Sequence, residues 1–253
     1  MRTHPIRTLV VAGCLAAAVA CACAPAAVAA GTGDNPTPTQ DVLTPREAAT
    51  KARLERETAA LDAGSRGGGK TGGIVPMIVD APYGSLWTPS HRQERGYWCG
   101  PATCQVIDHY FGSYVSQSTY ASAMGTNSNG TDFSLVDDCL RYFARMPYYY
   151  YGPLTESQFN VRVSDSIMNH GMPLATDLKI IASIWPNYTR DYAGHIVPIE
   201  AFDWRYGTIR LNDVFDEAGY YGGGNTFGHS TYDRAIVWNG VYNHFRRAVV
   251  SAP

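Results

Sequence analysis

Gln93-Glu94-Arg95-Gly96-Tyr97-Trp98-Cys99-Gly100-Pro101-Ala102-Thr103-Cys104-Gln105-Val106-Ile107-Asp108-His109-Tyr110-Phe111-Gly112 is the stretch around which the chain is organised. Ala102, Val106 and Tyr110 recur every four residues, as do Thr103, Ile107 and Phe111. That spacing predicts a helix that stops at Gly112. Pro101 suits its first turn, where a missing N–H costs nothing. Cys99 then sits at the helix mouth, where unpaired backbone N–H groups and the helix dipole favour negative charge. Such a position lowers a thiol's pKa and makes a nucleophilic thiolate. Gln93 is near enough upstream to offer a side-chain N–H to an oxyanion. A lone Cys beside two aromatics is ordinarily a small buried hydrophobe. The Gln, the Gly-Pro and the helix start together favour the nucleophile.

The chain has 253 residues, 45% of them hydrophobic and 17% charged, which suits one domain with a sizeable core plus extensions. Its 20 basic and 22 acidic residues nearly balance, so nothing points to nucleic acid or an anionic membrane as partner. Arg2, His4 and Arg7 precede an uncharged run from Leu9 to Ala24, and Ala27-Val28-Ala29 supplies a small-x-small cleavage site. Residues 1–30 therefore read as a secretory signal peptide, and no stable membrane insertion is expected after its removal. Val11-Ala12-Gly13-Cys14 resembles a lipoprotein cleavage box, but its apolar lead-in is short, which favours plain export. Of six Cys, the mature chain keeps Cys99, Cys104 and Cys139. In an oxidising compartment the economical arrangement is a Cys104–Cys139 disulfide and one free reactive thiol.

Residues 31–73 form a polar linker or pro-region. Thr44-Pro45-Arg46-Glu47 is a capping box for a short solvated helix, and Gly67-Gly68-Gly69 and Gly72-Gly73 mark flexible chain. The compact domain is expected over residues 74–253, opening with a strand at Ile74 to Val79 and a loop punctuated by Pro82, Gly84 and Pro89. Asp132 to Arg145 reads as a second helix, and Tyr148 to Tyr151 as an aromatic strand or loop. Thr155-Glu156-Ser157-Gln158 is a capping box for a third helix ending at Gly171. Strands are expected at Met172 to Leu178, Gly194 to Phe202, Thr208 to Leu211 and Ala235 to Trp238. Helices first and strands afterwards imply an α+β domain, with helices segregated from a C-terminal antiparallel sheet.

A Cys nucleophile needs a base and the base an orienting partner. Among seven His, His195 opens an apolar strand, Gly194-His195-Ile196-Val197-Pro198-Ile199. The short link Asp203-Trp204-Arg205-Tyr206-Gly207 implies an antiparallel hairpin. A turn centred on Trp204 sets Asp213 opposite His195, whereas one centred between Arg205 and Tyr206 sets Asp216 there. Either carboxylate could accept the imidazole N–H and fix its tautomer.

Gln93…Tyr97-Trp98-Cys99-Gly100-Pro101-Ala102, then Gly194-His195-Ile196-Val197, then Leu211-Asn212-Asp213, resembles the papain-fold cysteine peptidases, and within them the bacteriocin-processing, double-glycine-leader peptidases and their secreted relatives. His170-Gly171-Met172-Pro173-Leu174 resembles that family's segment before the His strand. The resemblance spans roughly residues 76–240. It implies a papain-like fold with Gln93 as oxyanion donor, Cys99 as nucleophile, His195 as base and Asp213, rather than Asp216, as its orienter. It also implies a peptide or protein substrate. The family's Asp-Pro is here Asp213-Val214, and Tyr220-Tyr221-Gly222-Gly223-Gly224-Asn225 is an unexpected feature. No cofactor or metal is implied, since the His residues lack ligand spacing and no Cys-x-x-Cys exists. The expected function is a secreted cysteine peptidase. Its rivals are an acyl transferase or cell-wall amidase on the same fold, and a non-catalytic binding module whose surface draws on the 17 Tyr.

Overall fold

A computed structural model describes residues 82–253. The expected signal peptide (residues 1–30), the expected linker or pro-region (31–73) and the strand expected at Ile74 to Val79 lie outside the described residues. Seven antiparallel strands form one sheet: β1 Tyr83–Ser85, β2 Tyr149–Tyr151, β3 Leu174–Ile180, β4 Tyr192–Asp203, β5 Thr208–Asp213, β6 Gly228–Asp233 and β7 Val249–Ser251. Their order is β2-β7-β3-β4-β5-β6, with β1 on β4. The twelve-residue β4 is the spine, since one of its edges takes β3 along Tyr192 to Ile199 and then β1 along Ala201 to Asp203.

Among the described residues six α-helices accompany the sheet: α1 Cys99–Tyr110, α2 Gln117–Ala123, α3 Val136–Phe143, α4 Glu156–Ser164, α5 Glu217–Tyr221 and α6 Arg234–Asn243. Side chains alternate across the pleat, so the sheet feeds two cores. Ala175, Ile196 and Val250 pack with Val106, Ile107, Tyr120 and Leu140 of α1 to α3. Their neighbours Leu174, Val197 and Val249 pack on the other face with Phe159 and Val163 of α4 and Val237 and Val241 of α6. The described residues form an α+β domain, with helices packed on both faces of one antiparallel sheet.

The capping box before α4 forms as the sequence predicts, with Gln158 N–H donating to Thr155 Oγ1 and Thr155 N–H to Gln158 Oε1. A π-helical turn, Asp165–Asn169, carries that helix toward Gly171. Two expectations are corrected. Ala235 to Trp238 is helix rather than strand, because Asp233 caps the Ala235 N–H at 2.7 Å and Val237 and Val241 supply a buried helical stripe. Tyr83–Ser85 is a strand rather than loop, since the open edge of β4 takes up its backbone groups. Cys104 and Cys139 both lie buried in the α1–α3 core, close enough for Cys139 to act on the Cys104 thiol. Burial, then Cys139 and Asp108, pushes the Cys104 thiol well above the ordinary range. Among the described residues no helix is long and apolar enough to cross a membrane.

Candidate active site

α1 begins at Cys99 itself, with Trp98 as its N-cap. The first turn of any helix leaves its N–H groups without intrahelical acceptors, so the Cys99 amide belongs to the unspent set. Ala102 N–H to Trp98 O, at 2.9 Å, is the first bond of the ladder. Thr103, one turn after Cys99, donates from Oγ1 to the carbonyl of Ile196 at 2.9 Å and is fully buried. That bond fixes the helix that Cys99 opens beside the residue that follows His195. Gly100 allows the close approach on the other side: a Cβ there would lie 2.5 Å from Thr131 Oγ1.

His195 is 4% exposed and Cys99 is fully buried. Imidazole Nε2 lies 2.8 Å from Asp213 Oδ1, and the Cys99 thiol is the ring's second side-chain hydrogen-bonding partner. With Nε2 committed to the carboxylate, Nδ1 is the atom left for sulfur. Burial opposes the imidazolium, but the Asp213 charge and hydrogen bond, with Cys99, outweigh it and push the His195 pKa up to about 10.

The hairpin reaches this geometry by a route that straight register does not anticipate. Asp203 faces Thr208 and Phe202 faces Ile209, so the turn centres between Arg205 and Tyr206 rather than on Trp204. Continued straight, that register would set Asp216 opposite His195. A bulge between Ile199 and Ala201 instead shifts the pairing by one, bringing Ile199 to Leu211. His195 then faces the position of Phe215, and Asp213 is its diagonal neighbour on the same face, within reach of a side chain of this length. Asp216 points away to Arg92, at 3.1 Å.

The bulge residue, Glu200, is fully buried. Its Oε2 accepts from Thr88 N–H at 2.9 Å and Thr88 Oγ1 at 2.7 Å, and its Oε1 faces Arg210 Nε at 2.5 Å and His229 Nδ1 at 2.7 Å. These bonds hold the segment leading to Gln93 against the sheet.

Gln93 is 2% exposed and tied to the same end of the sheet. Its N–H donates to Val214 O at 2.8 Å, and Tyr220 Oη donates to its carbonyl at 3.0 Å. Its Nε2 donates to Arg95 O at 3.0 Å and Gly96 O at 2.7 Å, while Oε1 is buried without a partner. In this conformation its amide protons serve its own loop.

Two contributors carry no sequence signal of their own. Tyr188, from the loop between β3 and β4, donates its phenol to Asp213 Oδ2, and Phe215 N–H donates to Asp213 Oδ1 at 2.9 Å. Phe215 and Tyr220 stack at 5.5 Å, with the Phe215 ring 6.0 Å from His195. The Tyr220–Tyr221 segment flagged in the sequence is therefore a wall of this site. Among the described residues no cluster of three or more His, Cys, Asp or Glu could hold a metal ion.

A family model described as the Peptidase_C39 like family matches residues 85–242, more than half of the chain. Solved structures similar to the chain include a double-glycine-motif protease from an AMS/PCAT transporter in complex with its leader peptide. It is 14% identical, with a TM-score of 0.44 over 66% of this chain and 92% of that one. A C39-like peptidase from Bacillus anthracis is 11% identical, with a TM-score of 0.41 over 68% of this chain and 98% of that one. The peptidase domain of Streptococcus ComA, a bifunctional ABC transporter involved in quorum sensing, is 12% identical, with a TM-score of 0.42 over 65% of this chain and 98% of that one. No curated protein matches the chain significantly.

Proposed function

From the chain's membership of the peptidase C39-like family, we propose that it is a secreted cysteine peptidase working through Cys99, His195 and Asp213. The observation that carries this reading is the position of His195, which hydrogen-bonds Asp213 from Nε2 and the Cys99 thiol from its other side. Cys99 passes its proton to His195, and the thiolate attacks the substrate carbonyl to form a C–S bond. His195 returns the proton to the leaving amine as the C–N bond breaks. Water, deprotonated by His195, then releases the acid and regenerates the thiol. The tetrahedral oxyanion is held by the Cys99 N–H at the helix start and by Gln93, which gives up its longer bond, to Arg95 O, to turn one N–H toward it. Asp213 keeps the proton on Nε2, so Nδ1 faces sulfur.

The substrate is a peptide or protein, and no cofactor takes part. Export by the N-terminal signal would carry the protein into an oxidising compartment, where Cys104 and Cys139 would join as a disulfide and Cys99 would stay free. The test is a thiol-directed peptidyl inhibitor applied to the full chain, with mass spectrometry of the labelled peptide and hydrolysis of a peptide library. Label on Cys99, and hydrolysis lost in Cys99→Ala, are expected. Hydrolysis that survives in Cys99→Ala refutes the mechanism. Incorporation of a labelled amine in preference to water would make the enzyme a transferase.

A further inference from the structure

Resting on the cysteine-peptidase reading of the site, we propose that Tyr188 is a positioning residue of the same machinery, acting on His195 through Asp213. Tyr188 is 5% exposed and lies on a loop that carries none of the residues assigned above. Its hydroxyl donates to Asp213 Oδ2, while Asp213 Oδ1 receives His195 Nε2 and the Phe215 N–H. Each carboxylate oxygen therefore has its own donors on its own side, and the plane of the group is set. The phenol on Oδ2 opposes a rotation that would carry Oδ1 away from the imidazole.

The direction of the bond is fixed by chemistry, because an ionised carboxylate only accepts. Burial, then the Asp213 charge, pushes the Tyr188 phenol well above its ordinary range, so it remains a donor. The ring itself stands edge-on to the imidazole, with centroids 6.2 Å apart and an interplanar angle of 68°. Tyr188 thus borders both halves of the His195–Asp213 pair.

Its loop is held independently of the site. Asn187 Nδ2 donates to Ser230 Oγ and Tyr232 Oη, both at 3.1 Å. Thr189 N–H and Oγ1 donate to the buried Glu217 Oε2 at 2.8 and 2.9 Å. Removing one hydroxyl from Tyr188 should therefore leave the loop in place.

The alternative is a core tyrosine that has merely found an acceptor for its hydroxyl. A double-mutant cycle on the full chain separates the two, read as the rate of Cys99 alkylation by iodoacetamide at neutral pH. Tyr188→Phe is expected to slow alkylation about 3- to 30-fold, within the span of coupling between contacting residues. In an Asp213→Asn background the same change is expected to cost nothing further. Tyr192→Phe is the control, since it removes a buried hydroxyl bonded to Glu217 Oε1 at 2.8 Å and not to Asp213. Equal slowing in both backgrounds, no slowing in either, or equal slowing by Tyr192→Phe overturns the proposal. A Cys99 no more reactive than free cysteine sinks the peptidase reading along with it, whereas a reactive Cys99 indifferent to Tyr188 sinks the proposal alone.

Discussion

Asp213 and Asp216 stand three residues apart, and their surroundings give them different work. Asp213 is 1% exposed and receives His195, Tyr188 and the Phe215 amide. Asp216 pairs with an Arg92 side chain that is 58% exposed. Surface pairs of that kind contribute about 0–1 kcal/mol. Asp213→Asn should lower kcat/KM by roughly 10²-fold, the low end of the loss for a general base. Asp216→Asn should stay within about twofold, a margin set by the small worth of such a bridge. Steady-state kinetics on both variants, at matched stability, decides it, and a reversed order would reassign the third residue. Cys99, His195 and Asp213 were legible as candidates because each sits in a local pattern: a helix start, a strand after glycine, the end of a hairpin. The route from His195 to Asp213 was not legible. A one-residue bulge at Glu200 leaves no mark in hydrophobic alternation, and the contact of Tyr188 with Asp213 depends on folding of the whole loop. The raised pKa of His195 adds a pH test. In the proposed mechanism the imidazolium donates to the leaving amine, so the alkaline limb of kcat/KM should fall near pH 10, the value to which His195 is pushed. A fall near neutrality would mean that Asp213 and Cys99 do not hold the proton.

At the scale of elements, the site depends on how α1 docks on β4. The buried bond from Thr103 Oγ1 to Ile196 O, 2.9 Å, links the turn after Cys99 to the strand just past His195. Thr103→Val keeps the shape and removes the donor, which should cost about 0.5–1.5 kcal/mol of stability. It should also lower kcat/KM by more than that destabilisation explains, because the Cys99–His195 distance loses its clamp. Urea unfolding beside kinetics checks this, and unchanged activity in a destabilised Thr103→Val protein would show that the docking is set elsewhere. Elements with their own punctuation were readable. The α1 helix has Pro101 and Gly112, and α4 has Thr155 and Gln158 in a reciprocal cap. Ala235-Ile236-Val237-Trp238 misled because its β-branched run resembles a strand, whereas the cap from Asp233 and the tight seat of Gly240 against Trp185 make it helical. Strands as short as Val249–Ser251 exist because β3 and β2 offer them edges, which no local pattern announces.

Across the whole molecule, a sheet with a core on each face needs β7 and the chain before it held to β3, where Asp177 pairs with Ile196 beside His195. A buried polar group does so: Arg246 Nη1 lies 3.3 Å from Asp177 Oδ2, and His244 Nε2 lies 3.6 Å from Asp177 Oδ1. All three residues are at most 2% exposed. His244 Nδ1 accepts from the Arg246 N–H at 3.4 Å, so that nitrogen has no room for a proton of its own. Burial, then the charges of Arg246 and Lys179, holds the ring well below the ordinary histidine value, despite the nearby carboxylate, which Arg246 already neutralises. The folded state therefore refuses a proton that the unfolded chain accepts below about pH 6.5. Stability contributed here is complete above that pH and is lost as pH falls, at up to about 1.4 kcal/mol per unit for a single group. His195 does the opposite, since its raised value favours the folded state in acid and loses that advantage between 6.5 and about 10. Comparing wild type with His244→Gln isolates the first effect, because the carboxylates and the other histidines are common to both. Urea midpoints at pH 7 and pH 5 should show the wild type losing about 1–2 kcal/mol more than the variant on acidification, as the linkage slope requires. Parallel losses would mean that His244 takes up its proton in the folded state, and that the Asp177 carboxylate, rather than Arg246 and Lys179, governs the ring.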